Sequence, residues 1–519
     1  MASFMPDGAR AQFDFSSLPS SQARSYADEF RSDSSASDSE YQHALEVVFD
    51  PENTHRRKSS MVTTDNPKLA KRSTEKRENT ACFVHHLLER QRKAPKGDLS
   101  NLPEVKEDTK ADKSAVTNHV PATNSRLLTK KQLSDMAWGV RELSKRLGSV
   151  RLKLRVKTVF LLTKAHDEGL IGYTQEVVEW LLSKDRETPY IVYVENTLEH
   201  NHAFDAKSII AKDPPREGRL KYWNNELCAK HPLIFDFVVT LGGDGTLLYA
   251  SWLFQRVVPP VLSFALGSLG FLTKFDYSGF RETLTTAFKD GVTVSLRLRF
   301  EGTVMRSQTK GKKRDLVEEL IGLEAENDYT HKPDGSYEIL NDIVVDRGPN
   351  PTMSAIEIFG DDEHFTTVQA DGICVATPTG STAYNLAAGG SLCHPENPVI
   401  LVTAICAHTL SFRPIILPDT IVLRVGVPYD ARTSSWASFD GRERVELCPG
   451  DYVTISASRY PFANVMQQGR RSEDWVNSIS RTLNWNSRQR QKSFKEWVVD
   501  EQEGRNQRES EDEREKGKT

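Results

Sequence analysis

The sequence predicts a two-part fold: an N-terminal α/β domain built on a doubly wound parallel sheet, followed by a mainly β C-terminal domain. Three observations carry this. Apolar strand-like runs alternate with helix-like stretches from about residue 130 to 290. The pattern then changes to short β-rich segments separated by turn residues. Both ends of the chain are polar and charged, and are expected to be disordered.

Length and composition set the frame. A chain of 519 residues holds about two or three domains. It is 38% hydrophobic and 27% charged, which is low in apolar content for a chain that is globular throughout. Its net charge of -4 provides no basic field for nucleic acid. The six cysteines, Cys82, Cys228, Cys374, Cys393, Cys406 and Cys448, are scattered without a CxxC pair, so reduced thiols are expected. The opening MASFMPDGARAQFDFSSLPSSQ lacks an apolar core and carries early acids, unlike a secretory or transit segment. The apolar uncharged run Val257–Thr273 holds Pro259-Pro260 and two glycines and is too short to span a bilayer. The expectation is a cytoplasmic protein with no membrane partner.

The elements follow in order. Residues 1–125 form the polar N-terminal segment. Within it Arg56–Ser60, RRKSS, reads either as a substrate for a basophilic kinase or as a solvated charge run. A first helix is expected where Leu133, Met136, Val140, Leu143 and Leu147 recur at helical spacing. Thr129 and Gln132 fit a capping box, and Gly148 fits the C′ position. TVFLLTK, YIVYV, IFDFVVTLGG and PPVLSFALG read as strands, and TQEVVEWLLSK as a helix. These place the α/β domain at 126–290. The β-rich domain, 291–465, would contain VSLRLRFEGTV, YEILNDIVVDRG, SAIEIFGD, TTVQADGICVATP, TIVLRVGV, SWASFDGRERVEL and DYVTISAS, with STAYNLAAGG as a helix. Arg306 to about Thr330 reads as a loop insertion. SEDWVNSISRTLNW marks a C-terminal helical stretch, 466–492, and 493–519 is a charged tail.

Familiar nucleotide signatures are missing from the sequence: there is no GxxxxGK followed by Ser or Thr, and no GxGxxG opening a helix. HExxH and paired-cysteine zinc spacings are missing too. Cys406 and His408 read more simply as a core thiol and a polar histidine than as metal ligands. The chemistry gathers in three stretches instead. The first is Gly242-Gly243-Asp244-Gly245-Thr246, at the carboxyl end of an apolar strand, where parallel sheets bind ligands. Glycines there let amides approach phosphate. A carboxylate among them either accompanies a phosphate-bound Mg²⁺, or takes a proton from a hydroxyl attacking the phosphate. The third alternative is an Asx-turn in which Asp244 caps its own backbone. The second stretch is Ala370–Gly390, whose hydroxyl-rich TPTGST offers a polar lip for ribose and adenine, or a capped helix. In the third, Asn341-Asp342, two polar side chains before a strand could read ribose hydroxyls or end a turn.

Together and in this order, the stretches resemble the NAD kinase family. The resemblance rests on GGDGT, ALGSLGFLTKF, NDIVVDRG, DGICVATPTGSTAYNLAAGG, HTLSFRPIILP and SFDGR, and covers roughly residues 130 to 490. TPTGSTAY is its most specific element, since GGDGT also occurs in lipid kinases and phosphofructokinases. LNWN and the long polar N-terminus look most like the eukaryotic, fungal branch. The resemblance implies that the C-terminal helical stretch packs back on the first domain. It implies transfer of the γ-phosphate of ATP, with Mg²⁺ or another divalent cation, to the 2′-hydroxyl of the adenosine ribose of NAD, with Asp244 as catalytic base. Gly242, Gly243 and Thr246 would meet the ATP phosphates. Gly245, Phe271, Asn341, Asp342, Asp371, Thr382, Ala383, Tyr384 and Asp440 would line the NAD site. Asp342 stands where many members have the longer Glu. The resemblance also implies a homo-oligomer. The rival readings are a lipid kinase of the diacylglycerol or sphingosine type, which shares GGDGT but would have no use for TPTGSTAY, and a non-catalytic NAD(P) sensor, which would not need Asp244.

Overall fold

The computed structural model describes residues 124–149, 151–163, 168–213, 216–308, 315–321, 330–467 and 471–484. Residues 1–123, with the Arg56–Ser60 motif, and the tail 493–519 lie outside the described residues.

The first sheet has eight strands. Its main path runs Leu220–Trp223, Ile191–Glu195, Thr158–Thr163, Phe237–Gly242, Val261–Ala265, Phe462–Met466, Thr293–Arg297, and Phe275–Asp276 pairs with Val261–Ala265. The first five are mutually parallel. Their near-continuous apolar character follows from burial on both faces. Along one strand Val159 and Leu161 enter one core, while Phe160 and Leu162 enter the other. Val177, Val178 and Leu181 of the helix Ile171–Leu181 cover the first face. Leu247, Ala250 and Leu253 of the helix Asp244–Leu253 cover the second. The sheet is therefore doubly wound, as the alternation predicts.

The sequence run VSLRLRFEGTV is two strands in two sheets. Thr293–Arg297 closes the first sheet, and Phe300–Ser307 begins another. The break centres on Arg299, a fully buried guanidinium. It donates to the carbonyl oxygens of Phe254 (2.9 Å), Gln255 (3.1 Å) and Tyr460 (2.6 Å). The first two close the C-terminal end of the Asp244–Leu253 helix, where a cation is favourable. Phe462–Met466, which no pattern singled out, also joins the first sheet, parallel to Val261–Ala265 and antiparallel to Thr293–Arg297.

The second domain packs two six-stranded antiparallel sheets over one core. Ile343, Val345, Ile373 and Val402 come from one sheet, Phe300, Ile356, Val425 and Ile455 from the other. Two segments read as single strands change sheets midway. His331–Ile339 turns at Leu340-Asn341 into Asp342–Asp346, and Glu363–Ala370 turns at Asp371 into Gly372–Ala376. Within the predicted loop insertion, Leu316–Ile321 is a helix whose Leu316 and Leu320 pack on Met305, Phe359 and Tyr452.

The first helix, Lys130–Ser149, straps both domains. Its capping box forms as expected: the Gln132 N–H donates to Thr129 Oγ1 (3.2 Å) and the Thr129 N–H to Gln132 Oε1 (3.0 Å). Leu133 packs on Val422 and Ala457 of the β domain, and Leu143 and Leu147 enter the α/β core. Arg141 grips Asp419 with two 2.8 Å bonds. Gly148 does not stop this helix, which continues through Ser149.

Candidate active site

The strand Phe237–Gly242 ends beside Thr158–Thr163, on the side from which the chain winds in the opposite direction. This switch point is where open α/β sheets admit ligands. Gly242, at φ 152°, is still paired with Ala265 and buried, and Thr246 is buried with its N–H donating to Gly243 O. Gly243 and Gly245 are exposed, and a Cβ on either would meet nothing within 4 Å. Protein packing gives these two positions no reason to be glycine. Close approach by a ligand does.

Asp244 opens the helix but does not cap it. Its carboxylate reaches across to the turn after Val261–Ala265. Oδ1 accepts from the Leu272 N–H (3.1 Å), the Thr273 N–H (2.9 Å) and the Thr273 hydroxyl (3.0 Å). Among the described residues, Oδ2 accepts from the Phe271 N–H (2.8 Å) alone. This is not an Asx-turn. The Phe271 side chain is half-buried beside the pair.

The corner Leu340–Asp342 docks on the same helix. Leu340 is buried in one cluster with Leu247 and Leu272. Asp440, held left-handed at φ 49°, accepts from the N–H groups of Leu340 (2.9 Å), Asn341 (2.8 Å) and Asp342 (3.2 Å). Its carboxylate is spent on shaping the corner. The Asn341 side chain stays half-exposed, while Asp342 is buried. Desolvation, with the charge of Asp440 as a lesser cause, pushes the Asp342 carboxyl up to about 7.

The hydroxyl-rich stretch locks onto this corner. Thr377 donates its N–H to Asn341 O (2.8 Å) and its hydroxyl to Leu340 O (2.6 Å). A Cβ on Gly380 would lie 2.2 Å from Asn341 O. The expected polar lip is smaller than its composition suggests. Thr377 is fully buried, and Ser381 exchanges bonds with the Cys393 backbone, donating to O (3.1 Å) and accepting from N–H (3.0 Å). STAYNLAAGG is not one helix: Thr379–Thr382 is a 3-10 turn, and only Tyr384–Ala387 is α-helical. Thr382 and Ala383 are half-exposed, and Tyr384 presents 44% of its surface. Burial of its inner edge and the nearby Asp346 push the Tyr384 phenol up. Asp371 sits at the other sheet-changing corner and pairs with Arg347 Nε (2.9 Å).

Three contributors escaped sequence reasoning. Arg442 reaches Gly245 O (3.4 Å) and lies 4.3 Å over the Tyr249 ring, joining the turn that carries Asp440 to the glycine turn. Arg299 holds the far end of the same helix. Thr273 supplies two of the four bonds to Asp244. The SFDGR, VSLRLRFEGTV and GFLT strings held these residues, but nothing in a string shows what each of them touches. Among the described residues no group of three His, Cys, Asp or Glu is arranged to hold a metal ion.

The arrangement is thus a junction between an α/β domain with a glycine-carboxylate turn and a β domain with a shaped polar corner. Comparison with known proteins agrees. Residues 159–292 match the model of the ATP-NAD kinase N-terminal domain, and 340–467 that of the ATP-NAD kinase C-terminal domain. The NAD(+) kinase of Saccharomyces cerevisiae is 44% identical over 369 residues, which are 70% of this chain and 66% of that protein. An ATP-NADH kinase of the same yeast is 41% identical, over 69% of this chain and 70% of its own length. The crystal structure of yeast NADH kinase complexed with NADH superposes with a TM-score of 0.52 at 28% identity, covering 65% of this chain and 91% of that one. This chain belongs to the ATP-NAD kinase family. No helix among the described residues is long and apolar enough to cross a membrane.

Proposed function

We propose that the chain transfers the γ-phosphate of ATP to the 2′-hydroxyl of the adenosine ribose of NAD, making NADP, and that Asp244 is the base. The observation that carries this reading is the Asp244 carboxylate, held by donors from a neighbouring turn beside two glycines that packing does not explain. Asn341 and Asp342 hold the ribose, at a corner shaped by Asp440. Thr382, Ala383 and the exposed Tyr384 face the adenine, and Phe271 covers the nucleotide beside the base. Asp371, paired with Arg347, stands toward the nicotinamide side. Gly243 brings the backbone close to the ATP phosphates, with Gly242 and Thr246 setting the turn beneath, and Gly245 lies on the NAD side.

The ribose oxygen bonds to the γ-phosphorus as the bond from that phosphorus to the β,γ-bridging oxygen breaks. The hydroxyl proton passes to Asp244 Oδ2, and ADP leaves. A divalent cation brought by ATP would neutralise phosphate charge. Three donors already converge on Oδ1, so the surroundings of Asp244 suit a base better than a metal ligand. Cytoplasmic location and homo-oligomeric assembly belong to this reading as expectations. The direct test is NADP formation from NAD, ATP and Mg²⁺. A protein that binds NAD tightly but forms no NADP would favour a sensor, and phosphorylation of diacylglycerol or sphingosine in place of NAD a lipid kinase.

A further inference from the structure

The Gly270–Thr273 turn is built around the Asp244 carboxylate. Three successive N–H groups, those of Phe271, Leu272 and Thr273, converge on it, and the Thr273 hydroxyl adds a fourth donor. The carboxylate explains why residue 270 is glycine: a Cβ there would lie 2.2 Å from Asp244 Oδ1, and no left-handed backbone demands it. The Thr273 hydroxyl also accepts from the Gly270 N–H (2.9 Å), which closes the turn and leaves its one proton to point at Oδ1. The turn is braced from behind by the C-terminal helix, Arg471–Leu483. Lys274 Nζ donates to Ser478 Oγ (3.0 Å), and Arg481 reaches Gly270 O (3.4 Å). The Gln467 side-chain amide, just before that helix, donates to Lys274 O.

The donors divide unequally between the two oxygens. Oδ1 takes three and Oδ2 one, so Oδ2 keeps the more available lone pair. We propose that Thr273 is a positioning residue for phosphoryl transfer: its hydroxyl pins Oδ1 and so aims Oδ2 at the attacking ribose hydroxyl. This rests on Asp244 being the base. Thr273 itself touches no substrate and acts through that carboxylate.

The test is a set of four proteins with intact full-length chains: Thr273→Val, Thr273→Ser, Asp244→Asn and the double variant Thr273→Val/Asp244→Asn. Each is assayed for NADP formation and for direct NAD binding. Because misplacing a reacting group can cost up to about 100-fold, Thr273→Val should lower kcat by about tenfold or more, with both KM values within about threefold of wild type. Thr273→Ser, which keeps the hydroxyl, should restore most of the rate. With Asp244 already Asn, Thr273→Val should cost nothing further, because the group it acts through is gone. Wild-type kcat in Thr273→Val beside an inactive Asp244→Asn would overturn this inference and leave the base intact. An equal loss in both backgrounds would reduce Thr273 to a structural part. An active Asp244→Asn would remove the base itself. Should Val prevent folding, Thr273→Ala carries the same comparison.

Discussion

Asp342 and Asp440 hold each other's backbone. The Asp342 N–H donates to Asp440 Oδ1 at 3.2 Å, and the Asp440 N–H returns to Asp342 O at 3.0 Å. Two carboxylates are thereby kept close in a buried corner. Burial raises both, and their mutual repulsion adds to the rise of Asp342.

A pH dependence follows. The Asp342 carboxyl is raised to about 7 in the fold, above its unfolded value of about 4. A raised carboxyl contributes stability that is fully present below the unfolded value and lost as pH rises through the folded one. Ribose hydroxyls donate, so they favour the ionised form. NAD affinity should therefore increase from pH 6 to pH 8 while thermal stability declines. Asp342→Asn should flatten both slopes. Calorimetric NAD titrations and melting curves at several pH values check this, and an NAD affinity that weakens with rising pH would contradict the assignment of Asp342 to the ribose.

Asp440→Ala should damage the corner more than it damages the chemistry. It leaves three N–H groups without their acceptor, and each such loss costs about 1–3 kcal/mol where water cannot substitute. The left-handed φ of 49° penalises Ala as well. The melting temperature should drop and KM for NAD should rise at least about tenfold, the equivalent of one such lost bond. Unchanged melting with unchanged KM would show that the corner is held by something else.

Tyr384→Ala removes an exposed ring at the start of the short helix after TPTGST. Loss of an aromatic stack costs about 1 kcal/mol, roughly fivefold in affinity. NAD binding should weaken by that much and ATP binding hardly at all. Equal rises in both Michaelis constants would point to a folding defect.

The N-terminal boundary can be placed more finely than composition allowed. Ser125 donates its N–H to Glu301 Oε2 (2.9 Å), and Arg126 is buried beside Glu301. A chain beginning near residue 120 should keep its activity per molecule, as expected for a dispensable polar segment. One beginning at residue 130 should melt earlier, because Glu301 is then buried without these partners. Equal melting of the two truncations would remove Ser125 and Arg126 from the fold's support.

What the sequence revealed, and what it hid, have physical reasons. Strands buried on both faces announce themselves as apolar runs, so the core of the first sheet was legible. The glycine turn was legible because its glycines and its carboxylate follow such a run directly. Phe462–Met466 was not, because membership in the first sheet depends on a partner more than 160 residues away in the chain, at Thr293–Arg297. The sheet changes at Asn341 and Asp371 were hidden because alternation runs straight through a corner. The grip on Asp244 was hidden for a different reason: three of its four donors are backbone N–H groups, which any sequence carries. The hydroxyl lip was overread, since Thr377 and Ser381 turn inward to tie loops together.

The measurement that bears most directly on the central claim is the rate of NADP formation by Asp244→Asn, with NAD affinity measured on the same protein. The substitution keeps size and helix position and removes the basic oxygen. General-base catalysis is worth about 10²–10⁴-fold, so kcat should fall at least about a hundredfold. NAD affinity should hold, and added Mg²⁺ should restore nothing. A kcat within about threefold of wild type, far short of the loss expected on removing a general base, would contradict the account. A rate recovered by excess Mg²⁺ would make Asp244 a metal ligand instead.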